Sequence, residues 1–169
     1  MKINFGAGKT KKKGYKNCDI RALKEVDFIC SAWDITQYIG EKEVDECFAR
    51  HFLEHLTPNK ARLTLKAWRQ VLKDGGKIDI EVPDIAYHAM QLITAPTEQS
   101  PIGKDSTNYE HAIAGFYGWQ TNVETGEDWD IHKWGYTEKT LKLLLTELGF
   151  KNLERVESEP WNLRIVGNK

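Results

Sequence analysis

The segment Ile3-Asn4-Phe5-Gly6-Ala7-Gly8 constrains the fold of this chain more than any other. A short apolar run with strand character enters directly into two glycines spaced by one residue. Glycine lets backbone approach a ligand that any Cβ would hold off. In open parallel α/β sheets, ligands bind at the carboxyl ends of strands. A first strand over 2–6 therefore predicts a nucleotide-type pocket at its end. Two phosphate-binding motifs are excluded by position. A loop ending in Gly8-Lys9-Thr10 needs glycine at position 3, where Ile3 stands. The dinucleotide pattern Gly-x-Gly-x-x-Gly needs glycine at position 11, where Lys11 stands.

The rest of the chain supplies the partners of that strand. Short strands are expected over 15–20, 26–30 and 43–49, the last despite its acidic content. Residues 58–73 read as a helix. Pro58 suits a first turn, and Ala61, Leu65, Trp68 and Leu72 form one apolar face. Asp74-Gly75-Gly76 is its expected stop. A strand over 77–82 follows, then a helix over 85–95. Periodicity fades between 85 and 131, a stretch rich in aromatics and carrying Pro96, Pro101, Gly103, Gly115, Gly118 and Gly126. Long irregular segments inside a compact domain are commonly functional. Thr137 caps a helix reaching Leu148, with Gly149 as its stop. Strands over 152–157 and 162–167, joined by Ser158-Glu159-Pro160-Trp161, read as an antiparallel hairpin.

Strands alternating with helices and closed by a hairpin define an α/β chain. The expectation is a Rossmann-like, mostly parallel seven-stranded sheet with a C-terminal antiparallel hairpin and helices on both faces. At 169 residues one domain is expected, with 85–131 as a lid or substrate-binding insertion. The net charge is −1, so bulk charge does not favour a polyanion. Lys9, Lys11, Lys12 and Lys13 form a local basic rim. Cys18, Cys30 and Cys47 are odd in number and lack metal or redox spacing, which implies buried thiols in a reducing, cytoplasmic setting. No leader-like start and no membrane-spanning run is present in this sequence.

In its ordered motifs the chain resembles class I S-adenosylmethionine-dependent methyltransferases, and within them the group labelled methyltransferase type 11. Residues Asn4-Phe5-Gly6-Ala7-Gly8, Gly14 to Ile20, His51 to Leu56, Trp68 to Lys77 and Ile80 to Asp84 carry the resemblance. Later, His132-Lys133-Trp134-Gly135-Tyr136 and Leu148-Gly149-Phe150 extend it. The resemblance implies S-adenosylmethionine as methyl donor and S-adenosylhomocysteine as product. It implies that Asn4 to Gly8 line the cofactor's methionine and ribose portions. Asp19 would hold the ribose hydroxyls with Ile20 beside it, and Asp34 would approach the adenine amino group between Trp33 and Ile35. Arg50, His51 and Phe52 would lie near the reactive methyl. The chain departs from the pattern in two ways. Asn4 stands where an acidic residue is common, and the link from Gly8 to Asp19 is too short for a first helix. The front of the pocket would be covered by 85–131, by a partner subunit in a homodimer, or not at all.

Methyl transfer needs alignment more than covalent help, and a hydroxyl acceptor also needs a base. Histidine suits that role near neutral pH. His51 and His132 are the candidates. Tyr117, Trp134 and Tyr136 are the candidate substrate contacts, since aromatic faces suit flat and amphipathic ligands. His51 and His55 are spaced like a helical pair of metal ligands. The order His51-Phe52-Leu53-Glu54-His55 misplaces the glutamate of the zinc-protease signature, and no third ligand is evident, so no metal is expected. The expected acceptor is a small molecule or a glycan. The alternatives are nucleic acid, met by the lysine rim, and a non-catalytic cofactor-binding or scaffold protein.

Overall fold

The computed structural model describes residues 1–94, 109–119 and 128–169. Strands β1 (Lys2–Phe5), β2 (Lys16–Asp19), β3 (Phe28–Ile29), β4 (Val44–Arg50) and β5 (Leu72–Pro83) run parallel. Strand β6 (Lys151–Arg155) pairs antiparallel with β7 (Asn162–Asn168), which pairs antiparallel with β5. The sheet order is β3-β2-β1-β4-β5-β7-β6. This is the expected seven-stranded, mostly parallel α/β sheet with a terminal hairpin. Its order reverses between β1 and β4, which opens a crevice at their carboxyl ends.

Register decides what each face holds. Ile3, Cys47 and Ile78 form one row, and Phe5, Ala49, Ile80 and Ile165 form the next on the same face. All seven are fully buried. Helix α1 (Pro58–Val71) lays Ala61, Leu65 and Trp68 on this face, and the Trp68 ring stacks on Phe5 with centroids 4.4 Å apart. Burying each large apolar side chain of this kind contributes roughly 1.5–3 kcal/mol. Four helices are described. The second and third, α2 (Ile85–Thr94) and α3 (Tyr109–Tyr117), pack together beyond the carboxyl end of β5. The last, α4 (Glu138–Glu147), adds Leu141 and Leu145 to the core and is tied to α1 by an Arg62–Glu147 ion pair of 2.7 Å. Thr137 caps it as expected, in a reciprocal box with Thr140.

The opposite face of the sheet is charged. Arg164 forks onto Asp79 through two bonds of 2.8 Å, Lys2 and Lys77 flank Glu46, and Arg50 and Asn162 hold Glu81. Burial pushes the Asp79 carboxyl up, but Arg164 and Lys77 outweigh it and hold the group below its ordinary value. These pairs explain how an acidic segment forms central strand β4: Glu46 is buried with both oxygens engaged. No described helix is long and apolar enough to cross a membrane.

Five expectations are corrected. The α1 helix ends at Val71 rather than at 73, because Leu72 turns into the core and pairs with Val44. Gly75, with φ +75°, serves the irregular start of β5 instead of stopping the helix. The third strand shrinks to Phe28–Ile29. Helix α3 lies in a stretch whose sequence shows no periodicity. Cys18 and Cys30, which lack redox spacing in sequence, bring their sulfurs to 3.6 Å across the β2–β3 pair. Pro96, Pro101, Gly103 and Gly126 lie outside the described residues.

Candidate active site

Two cavities meet at the carboxyl edge of the sheet. The first, of about 270 Å³, is bounded by Gly6, Asp19, Ile20, Arg21, Trp33 and Phe52, with Trp129 and Lys133 across from them. The second, of about 820 Å³, is bounded by His88, His111, Trp119, His132, Trp161 and Asn162. His51, His55 and Asp130 line both and form the wall between them. All five histidines of the chain therefore face the larger cavity.

The smaller cavity is organised by the end of β2. Asp19 accepts four hydrogen bonds. Gly8 N–H donates at 2.7 Å and Arg21 N–H at 3.0 Å, while Arg21 Nε and Nη2 donate at 3.0 and 3.2 Å. Burial raises this carboxyl, and the Arg21 and Gly8 bonds more than offset it, leaving the group below its ordinary value. Arg21 also lies 5.8 Å from the centroid of the Trp129 ring. Gly6 and Gly8 have φ of +63° and +55°, a region that favours glycine. The close approach at Gly6 is to the Phe52 side chain, which a Cβ there would meet.

The shared wall is built by a tight turn after β4. His51 has φ +48°, and Leu53–His55 form one 3-10 turn. His51 and His55 are thus not a pair on one helical face, as their spacing suggested. His51 Nδ1 donates to Glu54 Oε1 at 3.3 Å, which leaves the Nε2 lone pair free in the neutral ring. Glu54 is 1% exposed, and its Oε2 has no hydrogen-bond partner among the described residues. Burial pushes the Glu54 carboxyl up, and the His51 bond with the neighbouring histidines brings it below its ordinary value. The backbone carbonyl of Glu54 accepts from Lys133 and Trp134 N–H at 2.8 and 3.1 Å, which pins the His132 segment against the turn. His132 Nδ1 donates to the Gly115 carbonyl at 3.0 Å, and His55 Nδ1 to the Ile131 carbonyl at 3.2 Å. Burial lowers the His132 pKa below the ordinary histidine value.

Among the sequence-predicted residues, Gly6, Asp19, Ile20, Trp33 and His51 line the smaller cavity, and His51 and His132 line the larger. Asn4 is buried and donates to Asn17 across the β1–β2 pair. Phe5 and Ile35 lie in the core, as does Ala7 in the buried turn. Gly8 reaches the site only through its N–H to Asp19. Asp34 precedes the Ile35–Gln37 turn without a side-chain cap bond, and Arg50 pairs with Glu81. Tyr117 is exposed outside both cavities. Trp134 and Tyr136 face a separate small cavity beside α1 and α4. The aromatics of the larger cavity are instead Trp119 and Trp161. Of the lysine rim, Lys12 lies 3.8 Å from the Phe48 ring centroid, on the charged face of the sheet. No signal in the sequence singled out Arg21, Trp161 or Asn162. His88 and His111 were visible only as histidines without a motif.

No protein-family model matches the chain, and no curated protein matches its sequence. Solved structures do. An S-adenosylmethionine-dependent methyltransferase from Archaeoglobus fulgidus is 16% identical and aligns over 99% of this chain and 85% of its own, with a TM-score of 0.63. The 1,6-didemethyltoxoflavin-N1-methyltransferase of Burkholderia thailandensis was crystallised with bound 1,6-didemethyltoxoflavin and S-adenosylhomocysteine. It is 16% identical over 99% of this chain and 70% of its own, with a TM-score of 0.61. A methyltransferase from Methanosarcina mazei is 15% identical over 99% and 91%, with a TM-score of 0.57. The chain thus has the fold of class I S-adenosylmethionine-dependent methyltransferases.

Proposed function

We propose that this chain transfers a methyl group from S-adenosylmethionine to a hydroxyl of a small-molecule or glycan acceptor. One observation carries the reading: a cleft of about 270 Å³ at the end of β2 and a larger cavity share a wall made by His51, His55 and Asp130. The cleft fits the donor's chemistry. Asp19 ends β2 as a carboxylate, the form that accepts two hydroxyl hydrogen bonds, and Ile20 and Trp33 supply apolar surface for a flat ring. The two bonds from the Arg21 side chain are the ones a ribose would exchange. S-adenosylmethionine, when bound, supplies an activated methyl group on its sulfonium.

The chain's own groups do the rest. His51 Nε2 accepts the proton of the acceptor hydroxyl, and Glu54 holds the ring through Nδ1 and stabilises the imidazolium that forms. Trp119 and Trp161 offer faces to an amphipathic ring, and Asn162 and the remaining histidines offer hydrogen bonds. His132 serves the same acceptor side. We read 85–131 as the acceptor-binding insertion, whose described parts supply His88, His111 and Trp119; residues 95–108 and 120–127 lie outside the description. The placement of Lys12 over Phe48 gives the nucleic-acid alternative no support.

Calorimetry with S-adenosylhomocysteine tests the reading. Binding is expected, weakened roughly 10- to 100-fold in Asp19→Ala, as loss of hydrogen bonds to a charged group requires. A screen of hydroxylated small molecules and sugars for release of S-adenosylhomocysteine then finds the acceptor. No binding at millimolar ligand sinks the proposal.

A further inference from the structure

We infer that Glu54, His55 and His132 form a binding site for one divalent transition-metal cation on the wall between the two cavities. One ligand atom from each residue lies within 4.8 Å of those of the other two. Donors about 2 Å from one ion lie within about 4 Å of one another, so small side-chain shifts bring all three to it. The donor set of two imidazoles and one carboxylate leaves coordination positions open, and it selects manganese, iron, cobalt or zinc over magnesium and calcium.

Three independent features prepare these groups for a cation. Each ring is already oriented from behind: His55 Nδ1 donates to the Ile131 carbonyl and His132 Nδ1 to the Gly115 carbonyl. A carbonyl accepts only, so both neutral rings carry their proton on Nδ1 and their lone pair on Nε2. Outer-shell bonds of this type fix metal-ligating histidines in known sites. Next, the carboxylate is divided. Glu54 Oε1 accepts from His51, while Oε2 is buried and without a hydrogen-bond partner among the described residues. A buried carboxylate oxygen left so is costly unless it faces a cation. Finally, the backbone bonds from Lys133 and Trp134 to the Glu54 carbonyl clamp the third ligand's segment onto the turn carrying the other two. The rings of His55 and His132 meet edge to face with centroids 5.0 Å apart.

The sequence hid this site because its third ligand comes from a distant segment, and because His55 pairs with its neighbour Glu54 rather than with His51. His55 and His132 line the larger cavity, where an acceptor oxygen would coordinate the ion while His51 Nε2 takes its proton. That use rests on the methyl-transfer reading; the binding of the ion does not.

The test is titration of metal-stripped protein with Co²⁺, followed by visible absorbance and calorimetry, with Mg²⁺ as contrast. One equivalent of Co²⁺ per chain is expected, with ligand-field absorbance and little response to Mg²⁺. His55→Ala and His132→Asn should lose more than the roughly 10- to 100-fold that an outer-shell change costs, whereas His88→Gln, elsewhere in the same cavity, should bind as the parent. Circular dichroism and thermal melts confirm that each variant is folded. Absence of a saturable signal at millimolar Co²⁺ overturns the inference, as does equal binding by the His55 and His132 variants. Calorimetry with S-adenosylhomocysteine on the same metal-free sample, with Asp19→Ala as its control, decides the methyl-transfer reading separately, because Asp19 is not a ligand of the ion.

Discussion

The cleft at Asp19 and the cavity at His88 are adjacent but assembled on different principles. The cleft is walled largely by strand ends and their following turns: Gly6 after β1, Asp19 to Arg21 after β2, Ser31 to Trp33 after β3, and His51 and Phe52 after β4. Parallel strands deliver these residues to one edge as a consequence of topology. The cavity draws on the 51–55 turn, on α2 and α3, on the 128–132 segment and on the 159–162 hairpin link. Hydrogen bonds between segments join these pieces, among them Asp84 N–H to the Trp161 carbonyl, His132 N–H to the Tyr117 carbonyl and Lys133 N–H to the Glu54 carbonyl. Chemistry that depends on a common ligand can be built on the first kind of wall, and specificity for a variable one on the second.

Substitutions can separate the two. The largest expected effect is at the shared wall. His51→Gln should lower the turnover of the acceptor found by the screen by roughly 10² to 10⁴, with S-adenosylhomocysteine affinity unchanged in calorimetry. A comparable fall in affinity would mean that His51 belongs to the cleft rather than to the boundary.

Acid should strike the cavity before the cleft. His88 is buried, and desolvation, aided by the charge of His111, lowers its pKa to about 4, against the opposing bond to Gln91 and the charge of Asp84. The folded state then binds fewer protons than the unfolded state between about pH 4 and the ordinary histidine value of about 6.5. Stability from this group is complete above that window and is lost as pH falls through it, by on the order of 3 kcal/mol. Urea melts across the window should be flatter in His88→Gln, and parallel curves would reject the account.

Next in size is Gly115→Ala, whose added Cβ would collide with the His88 imidazole. Overpacking of this sort costs about 1–3 kcal/mol. The loss should show in denaturant melts and in acceptor turnover, but not in binding of S-adenosylhomocysteine. The smallest effect is expected at Arg21→Ala, which removes two of the four bonds to Asp19. Affinity for S-adenosylhomocysteine should rise, by on the order of 1 kcal/mol. A fall instead would make Arg21 a ligand contact.

The same contrast explains what could be read from the amino acids. The sheet, the Thr137 cap and the closing hairpin follow from local signals, namely alternation, helical spacing and turn residues. Asp19, at the end of β2, and His51, just past β4, were reached through the family resemblance. The errors have physical causes. Leu72 leaves its helix because the core claims it, and α3 packs against the neighbouring α2 without a helical repeat in its sequence to announce it. Tyr136 was a candidate substrate contact by virtue of its aromatic ring, yet it is buried beside β5, where its backbone bridges to Asp84. Trp161 and Asn162, by contrast, sit where the hairpin link enters β7, a junction that gave no sign of facing a cavity. Long-range contact carries no spacing rule, so of the cavity only His51 and His132 were legible as candidates, and His88 and His111 stood as histidines without a motif.

The fork from Arg21 to Asp19 has a consequence for recognition. All four lone-pair positions of this carboxylate are occupied by protein donors, and two of those donors sit on one swinging side chain. A guest therefore enters by exchange, as the rival of a tethered cation already in place. A molecule with a single hydroxyl replaces one bond and leaves an oxygen half satisfied. A vicinal diol replaces both. On the proposed reading, selectivity at this position is set by counting exchanged bonds, and a 2′-deoxy nucleoside should be refused even though it is small enough to enter.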